Sequence, residues 1–196
     1  MNLPNKITVF RFILIPIIIV ISVIDSLYAE PLIENLWVGN LIIFVLFAVG
    51  AFSDFLDGYL ARKHNLVTTF GKFMDPLADK MLVMTVLIIL MVQQDSKLAP
   101  WVVIVIMARE FMVMGIRTLA AGENKIIAAS KIAKVKTTVQ FFMVFILLLG
   151  GVPFALINET LSNVIEYVLI YAAAILTIVS GLDYFIKNKE IVLKTK

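Results

Sequence analysis

Four aspartates, Asp54, Asp57, Asp75 and Asp79, lie within 26 residues in the stretch SDFLDGYLARKHNLVTTFGKFMDPLADK, residues 53–80. Spacings of three and four place the members of each pair on one face of a helix. With Asp54 at zero, about 100° per residue brings Asp57, Gly58 and Ala61 to about −60°, +40° and −20°, with Arg62 beside them. Carboxylates without His or Cys suit a hard divalent cation such as Mg²⁺ or Mn²⁺. A cation held by several acids next to residues as small as Gly58 and Ala61 serves a phosphorylated ligand that approaches the helix backbone. A structural reading covers part of the set: Asp75 would cap a helix opening at Pro76, and the other acids would pair with Arg62, Lys72 and Lys80. It covers four acids poorly, because charge inside an apolar span is costly and is kept for function.

The elements that carry these acids are membrane spans. The chain is 61% hydrophobic and 16% charged, with a mean hydropathy of +1.01, far from an ordinary soluble domain. Its 196 residues form a single domain, 1–196, without linker or charged tail. Cysteine is absent, which excludes disulfides, thiolate metal sites and cysteine nucleophiles. A span needs about 20 apolar residues, and six stretches qualify: 8–27, 37–61, 76–94, 99–121, 131–150 and 160–186. The first is too long, and its leading charge too weak, for a signal peptide. With both termini on one side, that side collects all but Lys97 of the 17 Lys and Arg residues. The bias puts the termini in the cytoplasm and explains the basic pI without nucleic acid. The four acids then gather just inside the cytoplasmic face, Asp54 about 12 Å before the end of its span and Asp79 about 6 Å deeper than Asp75.

Residues 54–79 read D-x-x-D-G-x-x-A-R-x₈-G-x₃-D-x₃-D. This pattern resembles the signature of the CDP-alcohol phosphatidyltransferases, complete and with its usual spacing. The resemblance implies an all-α integral membrane protein of six transmembrane helices, assembled as a homodimer in the plasma membrane with its active site at the cytoplasmic face. It implies that Asp54, Asp57 and Asp75 hold Mg²⁺ or Mn²⁺ and that Asp79 is the general base. Gly58, Ala61, Arg62 and Gly71 would line the seat of the CDP moiety of a CDP-diacylglycerol.

The acceptor alcohol must be read elsewhere, from MAREFMVMGIR (107–117) and SKIAKVKTTVQ (130–140). Arginine inside a span is explained by an acceptor that carries its own phosphate, because guanidinium grips phosphate bidentately. Lys134 shares a stripe with Lys131 and Thr138, so Arg109, Arg117 and Lys134 are the expected phosphate contacts. These segments, with the opening LPNKITVFRFILIP, are similar to those of the branch of the family whose acceptor is glycerol 3-phosphate. That branch makes phosphatidylglycerophosphate and CMP. Within the family the rivals are a cardiolipin synthase using phosphatidylglycerol, and inositol- or serine-using enzymes. Outside it, an ion or metal transporter would carry its acids near the midplane among broken helices. Plainer readings pair Arg109 with Glu110 and assign Lys131 and Lys136 to headgroups or topology. His64 reads as a solvated loop residue, and Glu166 and Asp183 receive no role.

Overall fold

The computed structural model describes all residues except 1–2, 34, 64–68, 94–95, 123–124, 126, 129, 153 and 194–196. Of residues 3–4, 54–63, 69–70, 72–73 and 192–193 only the backbone is described. Six long helices run in chain order: α1 Leu3–Ser22, α2 Val38–Lys63, α3 Thr69–Val92, α4 Pro100–Gly122, α5 Lys131–Leu148 and α6 Glu159–Lys187. A short α7, Lys189–Leu193, follows α6. Each expected apolar stretch folds as one of the six long helices. Between α1 and α2 lie a 3₁₀ turn, Asp25–Tyr28, and a small antiparallel hairpin, β1 Pro31–Ile33 with β2 Leu36–Trp37.

Among the described residues, two helices are long and apolar enough to cross a membrane: α1, through Asn5–Ser22, and α6, through Glu159–Lys187. On three of the other helices charge falls within or beside the apolar run. Asp75, Asp79 and Lys80 stand on α3, Arg109, Glu110 and Arg117 on α4, and Lys131, Lys134 and Lys136 on α5. Each set interrupts the apolar run that lipid demands, which is the expected signature of a polar site enclosed by helices.

The helix ends depart from the expected spans by up to seven residues, and two of these departures bear on the site. α1 stops at Ser22 rather than continuing to residue 27, because Ile24 is extended (φ −88°, ψ 99°) and the chain turns tightly from Asp25. α3 begins at Thr69, seven residues before the expected start of the span. Asp75 is therefore not an N-cap and Pro76 lies inside the helix. Pro76 removes one intrahelical N–H there. Asp79 stands ten residues into α3, about 15 Å from its first residue.

α1 packs against α2 and α3, while α6 packs against both α4 and α5. The core between them includes Ile18, Ile43, Phe47, Val86, Leu87, Ile106, Met143, Leu148 and Ala173. Phe47 stacks on Phe141 with ring centroids 5.6 Å apart, and both meet Phe145 edge-on. In lipid, helices associate through this kind of close packing rather than through a hydrophobic driving force. Gly150 and Gly151 turn the chain from α5 toward α6 with φ of 61° and 76°, a conformation that costs a residue with a Cβ. Ser130 caps α5 by accepting from Ala133 N, and Asn158 caps α6 by accepting from Leu161 N. The bundle so formed brings α1, α3, α4 and α5 around one polar interior.

Candidate active site

The acid side of the site begins on α3. Asp75 and Asp79 are one turn apart, so both project from the same face. Thr8 Oγ1 on α1 donates a hydrogen bond to Asp75 Oδ1, and Arg11 Nη2 lies 3.8 Å from the same oxygen. The Thr8 and Arg11 side chains are fully buried, whereas that of Asp75 is 36% exposed. One oxygen of Asp75 is thus oriented by α1 while the carboxylate stays open to a ligand. Thr8 and Arg11 had no place in the sequence reading of the site. Their signal was the stripe Asn5, Thr8 and Arg11, polar residues three apart on a mostly apolar helix, all of them buried.

Asp75 is the one expected metal ligand whose side chain is described. Asp54, Asp57, Gly58, Ala61 and Arg62 lie on α2, with their positions around the site outside the described residues, as is His64. Gly71 is buried in the first turn of α3. Among the described residues no three acidic, His or Cys side chains converge. The donor chemistry of Asp75, an oriented and accessible carboxylate, fits a hard divalent cation.

From Asp79 a chain of charges runs inward. Lys80 Nζ lies 3.0 Å from Asp79 Oδ2 and 3.0 Å from Glu110 Oε2 on α4. Glu110 Oε1 accepts from Lys136 Nζ on α5 and from Arg109 Nη1 at 3.2 Å. Glu110 is 7% exposed and Lys136 only 1%. The assignment of Lys136 to headgroups or topology is therefore corrected. Its turn of α5 carries Ala133, Lys136 and Gln140 inward at spacings of three and four. Lys131 is exposed.

Two cavities meet at this cluster. The smaller, about 230 Å³, lies between Asp79, Lys80, Glu110, Lys136 and Gln140 on one side and Phe47, Ile106, Phe141 and Val144 on the other. The larger, about 770 Å³, is lined by Arg109, Arg117 and Lys134 together with Thr118, Thr138 and Tyr184. The three cations expected to hold an acceptor phosphate thus converge on one space. Lys80, Glu110, Thr137 and Phe141 line both cavities and form the wall between them.

Each cation of the larger cavity is placed by a different device. Arg117 Nε donates to Tyr184 Oη at 3.2 Å, with the guanidinium 5.8 Å from the Tyr184 ring centroid. Lys134 is exposed into the opening. Arg109 passes over Gly181 of α6, where a Cβ would stand 3.1 Å from Arg109 Cγ. Pairing of Arg109 with Glu110 is observed, but it uses Nη1; Arg109 Nε is buried and has no hydrogen-bond partner among the described residues. A buried guanidinium donor without a partner is costly, and an anion in the adjoining cavity would satisfy it. Charge points the same way: Lys80, Arg109, Arg117, Lys134 and Lys136 face the two carboxylates Asp79 and Glu110.

Glu166 and Asp183, left without a role, are structural partners. Glu166 pairs with Lys97 at 2.7 Å and accepts from Ser162 at 3.1 Å. Asp183 pairs with Lys187 one turn on at 2.7 Å.

Residues 1–179 match the family model described as CDP-alcohol phosphatidyltransferase. The chain is 47% identical over 197 residues to a CDP-diacylglycerol–glycerol-3-phosphate 3-phosphatidyltransferase of Bacillus subtilis (strain 168), covering 99% of this chain and 98% of that one. It is 39% identical over 184 residues to the protein of the same name in Rickettsia felis, covering 94% and 93% of the two chains. With the same-named protein of Haemophilus influenzae it shares 36% identity over 185 residues, covering 93% and 91%.

Proposed function

The chain belongs to the CDP-alcohol phosphatidyltransferase family, and from that premise we propose that it is a phosphatidylglycerophosphate synthase. It transfers the phosphatidyl group of CDP-diacylglycerol to glycerol 3-phosphate and releases CMP. The observation that carries the choice of acceptor is the larger cavity. It gathers Arg109, Arg117 and Lys134 and lies against the chamber of Asp79. The names of the relatives support the same acceptor.

In this reading the acceptor phosphate sits among the three cations, with Arg109 Nε as one donor. Its glycerol end reaches past Lys80 and Glu110 toward Asp79. Asp79 takes the proton of the attacking hydroxyl as that oxygen bonds to the phosphorus carrying the diacylglycerol, and the bond from that phosphorus to CMP breaks. Asp54, Asp57 and Asp75 would hold a divalent cation, Mg²⁺ or Mn²⁺, which when bound neutralises and orients the two linked phosphates. Gly58, Ala61, Arg62 and Gly71 would seat the CDP moiety. The charge-bearing helices enclose these groups so that diacyl tails remain in lipid while nucleotide and acceptor approach from water. The resemblance further supports a homodimer.

CMP release by the purified protein, with a panel of alcohols, tests the acceptor directly. Glycerol 3-phosphate should be the preferred substrate and plain glycerol a poor one. Preference for phosphatidylglycerol would instead make the enzyme a cardiolipin synthase. Removing Arg117 or Lys134 should raise KM for glycerol 3-phosphate about tenfold to a hundredfold, the equivalent of about 1.5–3 kcal/mol for a charge-assisted contact. KM for CDP-diacylglycerol should change little, because neither residue belongs to its seat.

Six spans with both termini in the plasma membrane's cytoplasmic side are part of the proposal, supported by the distribution of Lys and Arg. A reporter fused after Lys125 should behave as cytoplasmic, and reporters after Lys97 and Glu159 as external. An external signal at Lys125 would put the acceptor cavity on the wrong face for cytoplasmic substrates.

A further inference from the structure

We propose that Lys80 and Glu110 are positioning residues that fix the Asp79 carboxylate against the acceptor seat, an inference that rests on Asp79 being the base. Neighbours on a helix diverge by about 100°, so the charged ends of Asp79 and Lys80 do not meet by helix geometry alone. Their 3.0 Å contact requires Lys80 to be drawn across the helix surface. Glu110 supplies the pull: the same Nζ lies 3.0 Å from its Oε2.

Glu110 is in turn held from two other directions. Its second oxygen is taken by Lys136 of α5 and by Arg109 of its own helix. The carboxylate is thereby fixed relative to α3, α4 and α5 at once. A purely structural staple needs one cation for one carboxylate, whereas Glu110 collects three. Surplus positive charge in a buried site is unfavourable by itself. It is balanced at one end by Asp79 and at the other would be balanced by the acceptor phosphate that the proposed function places in the larger cavity.

The location agrees with a positioning role. Lys80 and Glu110 border both cavities, so they stand between the acceptor phosphate and the proton-accepting oxygen. Arg109, beside that phosphate, and Asp79, beside the reacting hydroxyl, are joined through these two side chains without a gap. Loss of either link leaves the CDP-diacylglycerol seat in place but lets Asp79 swing from its productive orientation.

The test is steady-state CMP release in detergent micelles with both substrates varied, beside thermal melting in the same micelles. Lys80→Met should lower kcat about tenfold to a hundredfold, as a misplaced catalytic group does. KM for CDP-diacylglycerol and the melting temperature should stay at their wild-type values. Lys80→Arg should restore most of the turnover, because a longer cation can still bridge the two carboxylates. Glu110→Gln should show the same kcat loss. If that single change prevents folding, Glu110→Gln combined with Lys136→Met removes one charge of each sign and should fold with low kcat. Asp79→Asn is the control. An inactive Asp79→Asn beside a fully active Lys80→Met, or beside a fully active Glu110 double variant, overturns the inference. So does a Lys80→Met loss that appears in melting temperature and in both KM values alike, or one that Lys80→Arg fails to relieve. An active Asp79→Asn overturns the base assignment instead.

Discussion

Asp79→Asn is expected to lower kcat by about 10²–10⁴-fold, the usual contribution of a positioned general base. Asn preserves the shape of the side chain and removes its ability to accept a proton. Lys80 remains paired with Glu110 at 3.0 Å, so the loss of its second partner does not dissolve the cluster. Binding of CDP-diacylglycerol should therefore be nearly unchanged, and kcat and kcat/KM should fall together, as they do for an interaction made in the transition state. Single-turnover measurement at saturating glycerol 3-phosphate separates this loss from slow product release. Near-normal turnover would require another base.

Removal of divalent cations by a chelator is expected to abolish CMP release, with Mg²⁺ or Mn²⁺ restoring it. The reason is the proposed donor set: Asp54, Asp57 and Asp75 would offer oxygen alone, which suits these ions and not softer ones. Asp75→Asn should weaken Mn²⁺ binding measured without substrate, by the spin-resonance signal of free Mn²⁺. That readout does not depend on turnover. Full activity in excess chelator would remove the metal from the mechanism. The fixed orientation of Asp75 by Thr8 and Arg11 would then be a packing feature of α1 only.

Much of the site was legible because its chemistry is expensive in lipid. Charged residues are rare in the chain, so Asp75, Asp79, Arg109, Arg117 and Lys134 stood out against their apolar surroundings. The two cations on α4 are eight residues apart, close to two turns and a fraction, and both line the larger cavity. What periodicity could not give was the rotation of one helix against another. Lys134 and Lys136 are two residues apart and so point to nearly opposite sides of α5. Sequence favoured Lys134 by its stripe and left Lys136 to the headgroups. Packing of α5 against α6, α2 and α3 turns Lys136 inward onto Glu110 and leaves Lys134 at the open side.

By itself, then, the amino-acid sequence determined the order of six apolar stretches and the face shared by Asp75 and Asp79. Bilayer thickness dictates the length of a span, and helical geometry dictates which spacings align. Tertiary structure alone decided the partners. Thr8 and Asp75 are 67 residues apart, and nothing local to either helix indicates that α1 lies against α3 at that level. Tertiary structure also decided that Lys80 bridges Asp79 and Glu110, that Gly181 makes room for Arg109, and that α3 begins a full two turns before its apolar run. Each of these depends on the rotation and height of a helix among its neighbours. Those are set by side-chain packing summed over the whole bundle, a quantity that no single segment contains.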